Sequence, residues 1–239
     1  MRARRKNGRT SFVSFSGIDG TGKSTQIDAL RARLEADGLR VQVIRFWDDV
    51  AMLTGMRGAT GHKIFKGDKG VGTPGAPINR RDKNVKSWPM TGVRLFIYSI
   101  DAVSVLLTVK RLLNSDADLV IFDRYIYDEI ANLTLGNPAI RAYVRAIMSF
   151  VPKPDISYVL DADPVKARAR KPEYPIEFLR TNRQSYLDLS DLVGGMTVIP
   201  PMPIEDVKRE ILYRALQELP FGVSQRHDRE GVPREEYSR

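Results

Sequence analysis

The sequence predicts a doubly wound α/β fold, in which about five parallel strands form a sheet with helices on both faces. Short segments that are apolar throughout, as in strands buried on both sides, alternate with stretches of helical periodicity. A glycine-rich turn joins the first strand to the first helix, and glycines or prolines separate later elements. With 239 residues, 42% of them hydrophobic, the chain can form one domain with a full core.

The strands and helices are expected in regular order along the chain. The strands should lie at residues 11–16, 40–47, 119–123, 156–161 and 196–199. The first helix is expected over residues 25–34, before Gly38, and the last over residues 204–216, after three prolines. Ligands of open parallel sheets collect at the carboxyl ends of the strands, so the functional site is expected at that edge.

A complete phosphate-binding loop follows the first strand. It consists of Gly17, Ile18, Asp19, Gly20, Thr21, Gly22, Lys23 and Ser24, and Thr25 comes next. In such a loop the backbone N–H groups surround phosphate oxygens, the lysine reaches the β- and γ-phosphates, and the hydroxyl of Ser24 meets Mg²⁺. The chain is therefore expected to bind a nucleoside triphosphate with Mg²⁺.

A carboxylate and a guanidinium follow the third strand, in the triplet Asp123-Arg124-Tyr125. At a strand end beside the phosphate-binding loop, Asp123 is placed to hold Mg²⁺ or its waters, and Arg124 to bridge phosphates. A purely structural salt bridge between such residues is the alternative.

Composition narrows the class of protein. No cysteine is present, which excludes disulfides, thiolate zinc sites and cysteine nucleophiles. The net charge of +9 suits polyanionic ligands, either nucleic acid or several phosphates in one cleft. The longest apolar run, residues 95–109, carries Asp101 and is too short to cross a bilayer. A buried helix and a cytoplasmic protein without a membrane partner are expected.

Three stretches fit no regular element. Residues 47–89 show no sustained period and hold seven glycines between Gly55 and Gly75, which predicts a long loop or insertion. Its basic side chains are expected to face either a phosphorylated substrate or solvent. Residues 1–10 are expected to form a disordered basic arm, and residues 218–239 a loosely attached tail.

The phosphate-binding loop and the Asp123-Arg124-Tyr125 triplet together resemble the thymidylate kinase family of nucleoside monophosphate kinases. Further similarity, within a match over about residues 11–217, lies in the motifs Leu160-Asp161, Ala167-Arg168 and Tyr186-Leu187-Asp188-Leu189. For an atypical member, the resemblance implies a three-layer P-loop NTPase fold of the nucleotide kinase type. It also implies Mg-ATP-dependent phosphoryl transfer to a nucleoside monophosphate, a lid over about residues 168–177, and a homodimer as one option.

The resemblance assigns roles to single residues. The residues implied to be catalytic are charged side chains: Asp19, Lys23, Asp123, Arg124, Arg168 and Arg170. Within this set Asp123 organises Mg²⁺ together with Ser24, and Arg124 neutralises the acceptor phosphate. The two lid arginines would stabilise the negative charge of the transferred group, with a solvated helix face as their alternative.

The acceptor side departs from the family pattern. Residues 46–50 read Phe-Trp-Asp-Asp-Val where the family has Arg-Glu-Pro-Gly-Gly, and Ile100 stands four residues after Phe96 in place of an arginine. The residues predicted to contact the acceptor are Asp48, Phe96, Arg124, Asp128 and Glu129. Phe96 would either stack on a base or pack into a buried helix. The base of the acceptor is therefore left open.

Two other functions fit the same residues. A deoxynucleoside kinase would use Asp48 or Asp49 as the general base for a 5′-hydroxyl. A nucleic-acid-binding P-loop ATPase would explain the net charge, but no recognition helix or aromatic-lined basic sheet stands out. A small-molecule nucleotide is accordingly the expected partner, in preference to nucleic acid.

Overall fold

The structure, a computed structural model, describes residues 10–51 and 88–220. Five strands form one sheet in which every pair is parallel. They are β1 (Ser11–Ser16), β2 (Val41–Arg45), β3 (Leu119–Asp123), β4 (Ile156–Leu160) and β5 (Met196–Ile199). Their order across the sheet is β2-β3-β1-β4-β5. The predicted doubly wound, five-stranded α/β fold of P-loop NTPases is confirmed.

Helices lie on both faces of this sheet. Those described are α1 (Lys23–Ala36), α2 (Trp88–Leu113), α3 (Ile126–Ile130), α4 (Pro138–Phe150), α5 (Pro164–Arg170), α6 (Ile176–Val193) and α7 (Ile204–Glu218). The alternation of β1 side chains separates two apolar layers, because successive residues of a strand point to opposite faces. Phe12 packs with Phe122 on the face covered by α2, α3, α4 and α6, whereas Phe15 packs with Ile27 of α1 on the other.

The register of the strands brings three strand ends to one edge. Phe15, near the end of β1, lies opposite Asp123 at the end of β3, and Arg45 at the end of β2 lies opposite the same Asp123. The phosphate-binding loop leaves β1 directly after Ser16. The loop and Asp123 therefore share the carboxyl edge at which the sequence places the site.

The second strand is shorter than the sequence predicts. Instead of continuing to residue 47, it ends at Arg45 and gives way to a single π-helical turn, Phe46–Val50. The Asp49 carboxylate accepts the Arg45 backbone N–H at 2.7 Å, and the side chains of Phe46 and Val50 are buried. The hydroxyl of Ser104 on α2 donates to the Val50 carbonyl at 2.6 Å. These contacts hold the turn at the end of β2 and attach it to α2.

Helix α2 is longer and less buried than expected. Tyr98, Ala102 and Val105 face the core, but an opposite stripe is exposed and consists of Val93, Phe96, Val103 and Leu107. The segment Thr91–Leu113 is long and apolar enough to cross a membrane by length and composition, with 28% of the tested window buried. The core helix of a soluble protein passes the same test, so this is weak evidence for a membrane span.

The predicted arm, insertion and tail fall mainly on residues 1–9, 52–87 and 221–239, which lie outside the described residues. The predicted lid does not. Its first residues form the last turn of α5, and its last residues begin α6. The pair formed by Asp161 and Arg183 ties α6 to the end of β4 through two hydrogen bonds, each of 2.6 Å.

Candidate functional site

The phosphate-binding loop adopts a backbone conformation that requires glycine. Gly17, Gly20 and Gly22 have φ angles of 135°, 85° and 91°. Residues other than glycine rarely adopt such angles, because their Cβ clashes with the backbone. A Cβ on Gly17 would collide with the Leu160 carbonyl, and one on Gly20 with the Ala167 carbonyl. The loop therefore lies directly against the backbone of β4 and of α5, the helix that carries the predicted lid arginines.

Lys23, the first residue of α1, is buried within this loop. Its Nζ donates to the carbonyls of Gly17 at 2.7 Å and Ile18 at 2.8 Å. Burial lowers the pKa of Lys23 to about 7, and the positive charge of Arg124 adds to this effect, while nearby carboxylates oppose it. An anion bound at the loop would favour the charged form of this lysine.

The oxygen ligands predicted for Mg²⁺ lie at the same edge of the sheet. Ser24 is exposed on the first turn of α1, and Asp123 is half-buried at the tip of β3. Burial raises the pKa of Asp123, an effect that Arg124 and Lys23 counteract. A hydroxyl and a carboxylate are hard oxygen donors of the kind that Mg²⁺ binds beside nucleotide phosphates. The donor set fits this ion.

Arg124 joins the strand tip to the phosphate-binding loop. Its backbone is left-handed, with φ of 69°, and its N–H donates to the Phe15 carbonyl at 3.0 Å. Its guanidinium donates to Asp19 at 2.5 Å through Nη2 and to Asp128 at 2.9 Å through Nη1. Burial lowers the pKa of Arg124, but Asp128 and Asp19 raise it more, so the net shift is upward. The structure therefore brings together Asp19 and Arg124, 105 positions apart.

The lid residues occupy different positions around the loop. Arg168 is half-buried, and its Nε has no hydrogen-bond partner among the described residues. Arg170 is exposed, and its Nε donates to the Lys166 carbonyl at 3.3 Å. Lys171, just beyond α5, places its Nζ 3.7 Å from Asp19. Among the described ion pairs, Asp19 is paired from this segment by Lys171, and not by Arg168 or Arg170.

The predicted acceptor residues do not form one continuous exposed surface. Asp48 is exposed on the π turn, and Phe96 is 67% exposed on α2. Asp128 is only 3% exposed, and Glu129 beside it is fully buried in α3. Their contacts with an acceptor remain predictions. Asp49 differs from Asp48 because its carboxylate caps the π turn.

The roles of three residues at the site were missed by sequence reasoning. Arg45 lies opposite Asp123 in the β2–β3 register, and its charge partly opposes the rise that burial causes in the pKa of that carboxyl. Ser16 and Tyr186 both donate to Asp128, each at 2.7 Å. Arg45 could have been found from the sequence, because it is a basic residue near the end of the second predicted strand, where ligands of parallel sheets collect. Nothing in the sequence pairs Ser16 with a tyrosine 170 positions away.

Comparison of the sequence with known proteins shows the family to which the chain belongs. A family model described as methylmalonyl Co-A mutase-associated GTPase MeaB matches residues 1–57, which include the loop. A probable thymidylate kinase of Pyrobaculum aerophilum is 30% identical over 194 residues, 74% of this chain and 81% of the relative. The chain belongs to the thymidylate kinase family. The resemblance noted in the loop and the strand-end triplet is thereby confirmed.

Other thymidylate kinases match over similar lengths. That of Bifidobacterium longum (strain DJO10A) is 27% identical over 75% of this chain and 83% of its own. A probable thymidylate kinase of Pyrococcus abyssi is 26% identical over 88% of this chain and 98% of its own. The similarity to thymidylate kinases therefore extends well beyond the 57 residues of the GTPase match.

Proposed function

We propose that the protein catalyses Mg-ATP-dependent transfer of a phosphoryl group to a nucleoside monophosphate. The observation that carries the proposal is the 2.5 Å contact between Arg124 and Asp19. It supports a site in which a cation on the β3 tip lies against the loop that would hold the donor phosphates. Membership of the thymidylate kinase family supports the same reaction class.

The donor side consists mainly of backbone. ATP would bind with its phosphates along the N–H groups of the loop, and Lys23 would exchange its two carbonyl partners for phosphate oxygens. Ser24 and Asp123 would hold Mg²⁺. When bound, Mg²⁺ neutralises phosphate charge and fixes the orientation of the phosphates.

The transferred group needs positive charge on its other sides. Arg124 would meet the acceptor phosphate, and Arg168, Arg170 and Lys171 would supply charge from the lid. A phosphoryl transfer of this kind requires alignment and charge stabilisation more than a strong base. The catalytic set predicted from the sequence suits that requirement.

The acceptor base is not assigned by these residues. Exposed Asp48 and Phe96 are candidates for contacting a nucleoside. Four residues after Phe96, Ile100 stands where the family pattern carries an arginine. Asp128 is buried and forms an ion pair with Arg124 at 2.9 Å, which would weaken its repulsion of an acceptor phosphate. We therefore expect monophosphates other than thymidylate among the substrates.

A deoxynucleoside kinase is the second candidate, because Asp48 is exposed at the carboxyl end of β2. A carboxylate there would accept the proton of a 5′-hydroxyl. Asp49, the other predicted base, is occupied by the Arg45 backbone N–H. Asp48 is therefore the stronger candidate of the two.

A panel of acceptors tests the proposal. Purified protein with Mg-ATP is assayed for ADP release against nucleoside monophosphates and nucleosides, and the products are identified by mass. We expect turnover with at least one monophosphate, and turnover with nucleosides alone would establish the second candidate instead. Lys23→Met should abolish every activity, whereas Lys153→Met, at an exposed lysine after α4, should leave them intact. ADP release independent of any acceptor would contradict both kinase functions.

We also propose a cytoplasmic protein that binds small nucleotides and uses the exposed stripe of α2 to form a homodimer. The dimer contact would use Val103 and Leu107 of that stripe, which leaves Phe96 available to contact an acceptor. Light scattering should report a dimer, and Leu107→Lys should give a monomer. Flotation of the protein with lipid vesicles would instead favour a membrane contact for this helix.

A further inference from the structure

A buried carboxylate, Asp128, lies at the centre of the site without facing the surface. It belongs to the short helix α3 and is 3% exposed. Oδ1 accepts hydrogen bonds from Arg124 Nη1 at 2.9 Å and from the Tyr186 hydroxyl at 2.7 Å. Oδ2 accepts from the Ser16 hydroxyl at 2.7 Å and from the Tyr125 backbone N–H at 3.2 Å. Four donors compensate the cost of burying this charge.

The four donors come from three parts of the molecule. Ser16 is the last residue of β1 and directly precedes the phosphate-binding loop. Arg124 and Tyr125 follow β3, and Tyr186 lies on α6, the helix after the lid. Burial raises the pKa of Tyr186, which therefore keeps its proton and donates it in the hydrogen bond to Asp128. One carboxylate thus connects the donor loop, the acceptor-side arginine and the lid segment.

The same carboxylate fixes the direction of Arg124. The guanidinium is planar, and its two terminal nitrogens bind different carboxylates, Asp128 and Asp19. Two partners on separate nitrogens determine the plane of the group. Of the two, Asp19 is part of the loop and also lies near Lys171, whereas Asp128 is bound only within the protein interior. Asp128 is therefore the fixed end of the pair.

We propose that Asp128 is a positioning residue, which with Tyr186 and Ser16 holds the Arg124 guanidinium against the phosphate-binding loop and links it to the helix that follows the lid. This role replaces the direct contact with the acceptor predicted from the sequence. It rests on the proposed function for its kinetic effects, but the orientation of Arg124 is measurable without turnover. Placing a charge in advance of the reaction is the main way in which such groups accelerate phosphoryl transfer.

Kinetics of single and double variants test the role of Asp128. Asp128→Asn should lower kcat by about 10- to 100-fold, the usual effect of losing a hydrogen bond to a charged group. The dissociation constant for ATP should change less than about threefold, since the loop itself is untouched. In the Arg124→Lys background, Asp128→Asn should have little further effect, because it acts through that arginine. Additive losses, or equal losses of ATP affinity, would overturn the proposal.

A milder pair of variants guards against misfolding. Tyr186→Phe removes only one hydroxyl and should lower kcat by about three- to tenfold. Tyr158→Phe is the matched control, because Tyr158 is equally buried and its hydroxyl donates to the Ile211 carbonyl, at 3.1 Å, on the opposite face of the sheet. It should leave kcat unchanged. Equal losses of kcat in both tyrosine variants would show that Asp128 and Tyr186 contribute only to the stability of the fold, and would contradict the positioning role.

Arginine NMR separates this proposal from the proposed function. With ¹⁵N-arginine labelling at low temperature, the Nη1–H signal of Arg124, assigned by its loss in Arg124→Lys, should exchange slowly with water in the unmodified protein, because Nη1 donates to Asp128. It should exchange markedly faster in Asp128→Asn and Tyr186→Phe but not in Tyr158→Phe. This result would support positioning even if no monophosphate were a substrate. Unchanged exchange in Asp128→Asn would contradict positioning even if the kinase activity were established.

Discussion

The donor and acceptor sides of the site are built by different means. On the donor side, backbone groups of residues 17–22 form the surface, and even Lys23 is held by two loop carbonyls. On the proposed acceptor side, the exposed groups are side chains, Asp48 on the π turn and Phe96 on α2. A backbone surface binds what all nucleoside triphosphates share, whereas side chains select among acceptors. The acceptor side can therefore change its substrate without disturbing the donor side.

The largest effect is expected at the lysine of the donor side. Lys23→Met should lower kcat by about a thousandfold for every acceptor, since it removes the cation nearest the donor phosphates. Coupled ADP release with each active acceptor measures this. A loss confined to some acceptors would show that the two sides are not separate.

A glycine pair distinguishes backbone conformation from close packing. Gly20→Ala and Gly38→Ala both place a side chain at positive φ, 85° and 87°, but only at Gly20 would the new Cβ meet another backbone, that of Ala167. We expect Gly38→Ala to cost about 1 kcal/mol of unfolding free energy with ATP affinity retained. Gly20→Ala should in addition weaken ATP binding by about 100-fold or more, as measured by calorimetry. Equal ATP affinities in the two variants would refute the packing argument.

On the acceptor side, Asp48→Asn should alter the ranking of acceptors by about tenfold while the KM for ATP stays within about twofold. The adjacent Asp49→Asn is the control, because Asp49 caps the π turn. It should lower the unfolding free energy by about 1 kcal/mol with a smaller change in ranking. Competition between two monophosphates, analysed by mass, measures the ranking. A uniform loss for all acceptors in Asp48→Asn would instead favour a general base.

The smallest expected effect is the uptake of a proton by Lys23 when ATP binds. Burial lowers the pKa of Lys23 to about 7, so at pH 8 most molecules carry a neutral lysine. Triphosphate binding favours the charged form, so ATP binding at pH 8 should take up nearly one proton. Titration calorimetry in buffers of different ionisation enthalpy measures this uptake. At pH 6 the uptake should disappear, and Lys23→Met should abolish it at both pH values.

The same low pKa makes stability depend on pH. Lys23 has a folded pKa near 7 and an ordinary value of 10.5, so the unfolded chain binds more protons between these limits. The contribution of Lys23 to unfolding free energy should therefore rise with pH across that window, by at most about 1.4 kcal/mol per pH unit. In denaturant unfolding, the difference in unfolding free energy between the unmodified protein and Lys23→Met should change with pH only between about pH 7 and pH 10.5.

Much of the donor side was predictable because local sequence determines it. The motif with its strand and helix flanks predicted a loop containing Gly17, Gly20 and Lys23, and the strand containing Asp123 was predicted to the residue. The π turn was not, because it depends on the Asp49 carboxylate returning to the Arg45 N–H, a contact that apolar periodicity does not encode. The role of Asp128 also escaped prediction, since its donors include Tyr186, 58 positions away. The exposed stripe of α2 was missed because an apolar run does not reveal which face is covered.

The pair between Asp161 and Arg183 has a mechanical consequence for the lid. These residues are 22 positions apart, and their ion pair closes the intervening chain, which contains α5 and the start of α6, into a ring anchored at the tip of β4. We therefore expect this ring to limit any movement of the predicted lid to the residues between its two partners. Such a movement would have to separate α5 from the phosphate-binding loop at the close approach of Gly20 to the Ala167 carbonyl.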